Sequence, residues 1–109
     1  LMTNESSIEK IPDTVAGAVS AIARGYDFAS ENPAEAAEIL VASAPETDTA
    51  LVASSQDWLS PQYISDAPQW GYQAPEIWRR MSEWMVEREL VEKLIDWEAA
   101  FTNEFLPDR

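Results

Sequence analysis

The chain has 109 residues, with no Cys and no His, and its 20 acidic and 7 basic side chains give a formal net charge of −13. Such a charge repels phosphate backbones and anionic membrane surfaces, so we expect no nucleic-acid partner. Disulfides, thiol catalysis and Cys/His zinc sites are excluded within these residues. Because 46% of the residues are hydrophobic, a folded chain is expected, and the length allows one helical unit spanning residues 1–109.

Hydrophobic spacing predicts helices through the first half of the chain. Residues 1–3 read as the end of a strand or a crossing segment, and residues 6–11 as a short helical turn. A helix is predicted from residue 12 to 31, where apolar side chains recur every three or four positions: Val15, Val19, Ile22, Tyr26 and Ala29. Asn32 is expected to cap a helix over about 33–43, with Glu35 completing a capping box and four residues facing inward: Ala36, Ala37, Leu40 and Val41.

The sequence of the second half of the chain predicts three further helices. Asp48 is expected to cap a helix that ends before Pro61 and carries an apolar stripe: Leu51, Val52, Ser55, Trp58 and Leu59. Pro75 is expected to open another helix with a broad stripe: Ile77, Trp78, Met81, Trp84 and Met85. Residues 90–95 should form a connector with buried aliphatic contacts. Asp96 should cap a last short helix with three aromatic side chains: Trp97, Phe101 and Phe105. The fold class is therefore all-α, with about five helices.

Residues 60–74 are irregular but rich in aromatic side chains. Such a segment is either packed into a core or lines a ligand pocket, and packing is the commoner case. Trp70, beside Gly71 and Tyr72, is the best candidate for stacking on a flat ligand. We predict three ligand-binding residues here: Trp70, Tyr72 and Tyr63.

Nothing in the sequence predicts an enzyme. General acid–base catalysis usually relies on His or on a carboxylate in an unusual environment, and the acidic residues here fall on solvent-facing helix positions. The three glycines are isolated, so no phosphate-binding loop is present. No Asp-rich loop has the spacing of a calcium site. We therefore predict no catalytic residue, no metal site and no cofactor.

Two stretches of the chain resemble one group of ABC-transporter solute-binding proteins. Residues 23–37, ARGYDFASENPAEAA, resemble the "RGY-x-x-A-x-x-NP-x-x-A" segment of the thiamine-pyrimidine-precursor type, which is related to the sulfonate, taurine and nitrate binders. Trp58-Leu59-Ser60-Pro61, Trp70-Gly71-Tyr72-Gln73 and the closing FTNEFLP of residues 101–107 resemble the C-terminal end of the same group.

The resemblance implies a particular place in a larger protein. Members of the group are about three times longer and close two α/β lobes of the type II periplasmic-binding-protein fold on a small ligand. The present residues would be the C-terminal helices that pack against those lobes. Fungal relatives that synthesise the pyrimidine use His and Cys, which do not occur here, so the resemblance implies a non-enzymatic function.

The expected function is therefore part of an extracytoplasmic binding protein of an ABC importer, with an ABC permease as partner and a membrane anchor upstream of these residues. The ligand would be a thiamine precursor or a similar small heterocycle, neutral or cationic because the few basic residues look surface-bound. The alternative is a free-standing helical protein-interaction module. If the helices lack a lobe that normally covers them, exposed apolar surface should promote self-association.

Overall fold

A computed structural model describes residues 1–108, and within that range it contains five α-helices and no β-strand. The helices are α1 (Glu5–Lys10), α2 (Pro12–Glu31), α3 (Pro33–Ser43), α4 (Thr49–Leu59) and α5 (Pro75–Glu87), with a 3-10 turn at Ser60–Gln62. The all-α prediction is confirmed. In the described part of the chain, no helix is both long enough and apolar enough to cross a membrane.

Local sequence signals set where most helices begin. Proline occupies the first turn of α2, α3 and α5, where its missing N–H is not needed. At α1, the Asn4 side chain accepts a hydrogen bond from the Ser7 amide at 2.8 Å. At α4, the Asp48 carboxylate accepts one from the Leu51 amide at 2.9 Å, which confirms the predicted cap.

The capping box predicted at the start of α3 is wrong. The Asn32 side chain makes no capping hydrogen bond to α3. Its backbone amide and its Nδ2 both donate to the Phe28 carbonyl oxygen, at 2.8 and 3.1 Å. Asn32 is the single residue between α2 and α3, and its side chain bonds to a free carbonyl oxygen at the end of α2 instead. The box with Glu35 therefore does not form.

A backbone motif ends α5 without the glycine that usually marks such a site. Glu89 has a positive φ of 57°, and its amide donates to the Val86 carbonyl oxygen at 2.9 Å. The Leu90 amide donates to the Met85 carbonyl oxygen, also at 2.9 Å. These two bonds form a Schellman motif, which satisfies the terminal carbonyl groups and turns the chain away from the helix axis.

The last helix predicted from Asp96 is not formed. A single turn, in which the Ala100 amide donates to the Trp97 carbonyl oxygen at 3.2 Å, is followed by irregular backbone. Short helices form few hydrogen bonds for the entropy lost in starting them, so tertiary contacts decide the conformation. Here residues 101–106 contact residues 71–78 instead.

The predicted burial of the connector after α5 is also wrong. Leu90, Leu94 and Ile95 are all exposed. A polar contact fixes the segment instead, because the Ile95 amide donates to the hydroxyl oxygen of Ser82 at 2.9 Å. Ser82 lies on α5 and is only 2% exposed, so a buried hydroxyl rather than aliphatic packing joins this connector to the helix.

The helices pack through small side chains. α3 packs mainly against α4, while α2 contacts α3 and the 3-10 turn. Only two apolar residues in the described chain are fully buried, Ala23 on α2 and Ala37 on α3. The predicted inward face of α3 is therefore only partly correct, because Leu40 is exposed. Small side chains let helices approach closely but remove little apolar surface from water.

The apolar stripes of α4 and α5 are only partly covered, with Val52, Leu59, Trp78 and Met85 half-buried. On α4, Leu51 and Trp58 are each 69% exposed, and the buried side carries Gln56 next to the 3-10 turn. On α5 three stripe residues are exposed: Ile77, Met81 and Trp84. Polar side chains, Gln56 on α4 and Ser82 on α5, bond to neighbouring segments, and part of each apolar stripe remains in contact with solvent.

The surface of the chain is large for its size. Its accessible area is 8386 Å², whereas a compact monomer of this mass exposes about 6,100 Å². The radius of gyration of the Cα atoms is 17.2 Å, against about 13 Å for a compact domain of 109 residues. Fifteen large hydrophobic residues of the described chain are exposed, so apolar side chains form a notable part of this surface.

Gly71 provides a direct test of the irregular segment. Its φ is +84°, and a Cβ atom there would lie 3.2 Å from Leu106 Cδ2. We expect Gly71→Ala to lower the free energy of unfolding by about 1–2 kcal/mol, because both backbone strain and crowding oppose it. The measurement is the urea midpoint followed by circular dichroism.

Gly25→Ala is the matched control for this substitution. Gly25 lies inside α2 with no atom near the added Cβ, so alanine should stabilise the chain by about 0.5–1 kcal/mol. If both variants shift the midpoint in the same direction, the conformation described for residues 70–73 is incorrect.

Candidate functional site

Three aromatic rings from separate parts of the chain meet beside α2. The ring of Tyr26 stacks on Trp70, with centroids 4.5 Å apart and planes 21° from parallel. Tyr63 meets the edge of the same tyrosine in a T-shaped arrangement at 4.9 Å and 84°. Both geometries are favourable for aromatic pairs. We call Tyr26, Tyr63 and Trp70 the aromatic cluster.

Hydrogen bonds fix the position of the cluster relative to α4. The Gln56 side chain lies at their centre: its Nε2 donates to the Ala29 carbonyl oxygen at 3.1 Å, and its Oε1 accepts from the Tyr63 hydroxyl at 3.0 Å. The buried Ser60 hydroxyl lies 2.7 Å from the Gln56 carbonyl oxygen and 3.2 Å from that of Ala29. Because these groups are partly withdrawn from water, losing one partner would leave others unsatisfied.

A shallow depression of about 350 Å³ opens next to the cluster. It is lined by uncharged residues, four of them from α2 and the last from the segment after α4: Ile22, Gly25, Tyr26, Ala29 and Tyr63. Such a surface favours a flat or apolar group over an anion, because it offers no positive charge to compensate for desolvation.

A second set of contacts holds the C-terminal residues against the loop before α5. The Gln73 amide donates to Asn103 Oδ1 at 2.9 Å, and Asn103 Nδ2 donates back to the Gln73 carbonyl oxygen at 3.0 Å. We call this pair the tail clip. Beside it, Trp78 Nε1 donates to Gln73 Oε1 at 3.1 Å, and the Trp78 ring stacks on Phe101 at 5.6 Å.

Tyr72 lies next to the tail clip rather than in the aromatic cluster. It lines a second depression of about 460 Å³, whose remaining lining comes from residues 68–69 and from the C-terminal segment: Pro68, Gln69, Asn103, Glu104, Leu106, Pro107 and Asp108. The charged groups in this lining are carboxylates, from Glu104 and Asp108. The described part of this depression therefore favours a neutral or cationic group.

The three predicted ligand-binding residues are thus divided between two places. Tyr63 and Trp70 belong to the aromatic cluster, and Tyr26 covers one face of Trp70. Tyr72 is separate and exposed. Whether any of them contacts a ligand stays a prediction, although the packing of Tyr63 and Trp70 agrees with the commoner interpretation of an aromatic-rich irregular segment.

Sequence analysis missed the residues that hold these places together. Tyr26 was visible as part of the apolar face of α2, but its contact with Trp70 spans 44 positions. Gln56 and Asn103 gave no signal, because isolated amide side chains are common on protein surfaces. The sequence hints are that Asn103 lies within the FTNEFLP stretch and that Gln56 lies two residues before WLSP.

Ion pairs contribute little to the stability of the described residues. Among residues 1–108 the one ion pair joins Arg79 to Glu83 on α5, at 2.8 Å and with both side chains half exposed. Exposed pairs of this kind add at most about 1 kcal/mol. The same residues contain no group of three potential metal ligands.

One family model matches the chain, that described as NMT1/THI5 like, over residues 1–36. The match covers α1, α2 and the start of α3, including the RGY-x-x-A residues that contribute Tyr26. The matched family consists, in broad terms, of substrate-binding proteins of the ABC-transporter type, which are typically extracytoplasmic, and the match covers about a third of the chain. No curated protein matches the chain.

The tail clip can be tested by replacing Asn103 with the similarly sized leucine. Asn103→Leu leaves the Gln73 amide and carbonyl without partners, so we expect a loss of about 1–3 kcal/mol in local stability. Amide hydrogen exchange at Gln73, measured by NMR, should become on the order of tenfold faster or more.

Thr102→Val is the control, because the Thr102 hydroxyl bonds only to exposed Glu104. It should change the exchange at Gln73 by less than about threefold. Unchanged exchange in Asn103→Leu would show that the clip does not hold the segment.

Proposed function

We propose that the chain is part of the extracytoplasmic substrate-binding protein of an ABC importer, and that the complete protein binds a pyrimidine precursor of thiamine or a similar small heterocycle. The observation that carries the proposal is the NMT1/THI5-like match over residues 1–36. It is supported by the structure, because Tyr26 from the matched region packs on Trp70 and Tyr63, which lie outside it.

The helices would act as packing and closing elements for the two lobes of that protein. The exposed stripes of α4 and α5 and the excess surface area support this function, since apolar faces of this extent are normally covered. The polar bonds of Gln56, Ser60 and Asn103 would preserve the arrangement of the helices while the lobes move. An ABC permease is the expected partner of the complete protein.

Ligand contacts from this part of the protein would come from Tyr72, Tyr63 and Trp70. Tyr72 is the most accessible, and its ring could stack on one face of a heterocycle. The carboxylates of Glu104 and Asp108 beside it favour a ligand with amino groups or a positive charge. Arg24, the one basic side chain between residues 11 and 73, donates to the Ser20 hydroxyl at 3.0 Å. These features disfavour sulfonate and nitrate.

The test uses the natural protein isolated from its source cells. Its intact mass should be near three times that of the 109-residue chain, and calorimetric titration with an aminopyrimidine should give saturable binding. Taurine and nitrate should bind at least tenfold more weakly. A mature chain of about 109 residues, or equal binding of all three compounds, would contradict the proposal.

Two variants of the natural protein locate the ligand. Tyr72→Leu should weaken aminopyrimidine binding about fivefold to thirtyfold, the effect of losing 1–2 kcal/mol of stacking. Glu38→Gln, at an exposed charged position on α3, is the control and should leave binding unchanged. If Tyr72→Leu binds normally, the ligand contacts lie elsewhere in the protein.

The alternative function is a free-standing helical interaction module, which the exposed stripe of α5 favours. A mature protein that begins near Leu1 and shows no response to small molecules would support it. The mass measurement therefore distinguishes the two functions before any ligand is tested.

A further inference from the structure

The lining of the second depression, beside the tail clip, includes a side chain with an unpaired oxygen atom. Oε1 of Gln69 is buried, and within residues 1–108 it is the one buried side-chain nitrogen or oxygen atom that has no hydrogen-bond partner. An unpaired buried acceptor of this kind costs about 1–3 kcal/mol. Native structures pair nearly all such groups, so an exception calls for a physical explanation.

A tight turn places this glutamine beside Tyr72. The Tyr72 amide donates to the Gln69 carbonyl oxygen at 3.3 Å. Gly71, the third residue of the turn, has a φ of +84°, as a type II turn requires. The first and fourth Cα atoms of such a turn lie within about 7 Å of each other. Both side chains line the depression, so a hydrogen-bond acceptor and an aromatic ring border the same space.

Contacts on two sides hold the turn in place. Trp70, its second residue, is not part of the lining and stacks on Tyr26 of the aromatic cluster. On the C-terminal side, Leu106 lies so close that a Cβ atom on Gly71 would be 3.2 Å from its Cδ2. The backbone that carries the acceptor and the ring is therefore fixed before a ligand binds, which limits the entropy lost on binding.

The other polar side chains of the lining are either paired or exposed to water. Both amide atoms of Asn103 bond to the main chain of Gln73 in the tail clip. Glu104 and Asp108 are exposed, so water competes for their carboxylates. Gln69 differs from them because its acceptor is withdrawn from water. Such an acceptor discriminates between ligands more strongly, since a ligand without a donor leaves it unpaired.

We propose that Gln69 determines which heterocycle the complete protein accepts, because its Oε1 accepts a hydrogen bond from an amino group on a ring that stacks on Tyr72. The oxygen is closed off from water, and it turns toward the ligand by rotation about χ3, a torsion with a broad energy profile. This inference rests on the proposed function, since it requires that a small heterocycle binds beside Tyr72.

The test compares two pyrimidines of nearly equal size by calorimetric titration of the natural protein. One carries a single amino group, and the other carries a methyl group in its place and so has no N–H donor. The natural protein should bind the aminopyrimidine at least about tenfold more tightly. Gln69→Met has a side chain of similar length without the oxygen acceptor, and it should reduce this preference to less than about threefold.

Gln62→Met is the matched control. Gln62 is an exposed glutamine of the 3-10 turn and lies outside the lining of the depression. Its replacement should leave the preference for the aminopyrimidine within about twofold of that of the natural protein.

A second measurement separates ligand recognition from a structural function of Gln69. In the absence of ligand, Gln69→Met should raise the thermal midpoint of the natural protein by about 2 °C, because it removes an unpaired buried acceptor. A glutamine that holds the structure together would give the opposite sign.

Three results would overturn the assignment of Gln69 and leave the proposed function standing. They are equal binding of the two pyrimidines by the natural protein, an undiminished preference in Gln69→Met, and a lower thermal midpoint of that variant. The last would show that Oε1 bonds to another part of the complete protein. Failure of the natural protein to bind either pyrimidine would contradict the proposed function itself and, with it, this inference.

Discussion

The stacking of Tyr26 on Trp70 joins the regular helices of the first half of the chain to the irregular segment that follows them. The edge contact of Tyr63 with Tyr26 and the bonds of Gln56 and Ser60 to the Ala29 carbonyl oxygen also hold α2 against the residues that follow α3. The hydrogen bonds of Gln56 and Ser60 fix the position of the aromatic cluster, and the rings of the cluster shield these bonds from water. Because partly buried amides are costly to leave unpaired, the aromatic contacts and the hydrogen bonds reinforce each other.

The same arrangement explains why so much apolar surface remains outside. α4 and α5 each turn a polar residue inward, Gln56 and Ser82, to bond with a neighbouring segment. Large apolar side chains of both helices, Trp58 and Trp84 among them, are then left exposed. A free-standing domain of this length normally places such faces in a shared core. These exposed faces support the proposal that the helices pack against another part of a larger protein.

The sequence was sufficient to predict the all-α class and the limits of α2, α3 and α4, because prolines and Asp48 are strong local signals. It was insufficient where contacts between residues distant in sequence decide the backbone conformation. The end of α5 depends on Glu89 at a positive φ, a conformation normally marked by glycine. The predicted helix after Asp96 failed because Asn103 bonds to Gln73, thirty positions earlier. The stripes of α4 and α5 were recognised as apolar, but amphipathicity cannot show whether the partner surface lies in the same chain.

The central claim is that these 109 residues form specific contacts but bury too little surface for an independent core. Differential scanning calorimetry of the isolated chain tests it most directly. A self-sufficient domain of this length unfolds with an enthalpy of about 75 kcal/mol near 60 °C. The account predicts a broad transition with less than about half of that enthalpy. A sharp two-state transition of the monomer with the full enthalpy would contradict it.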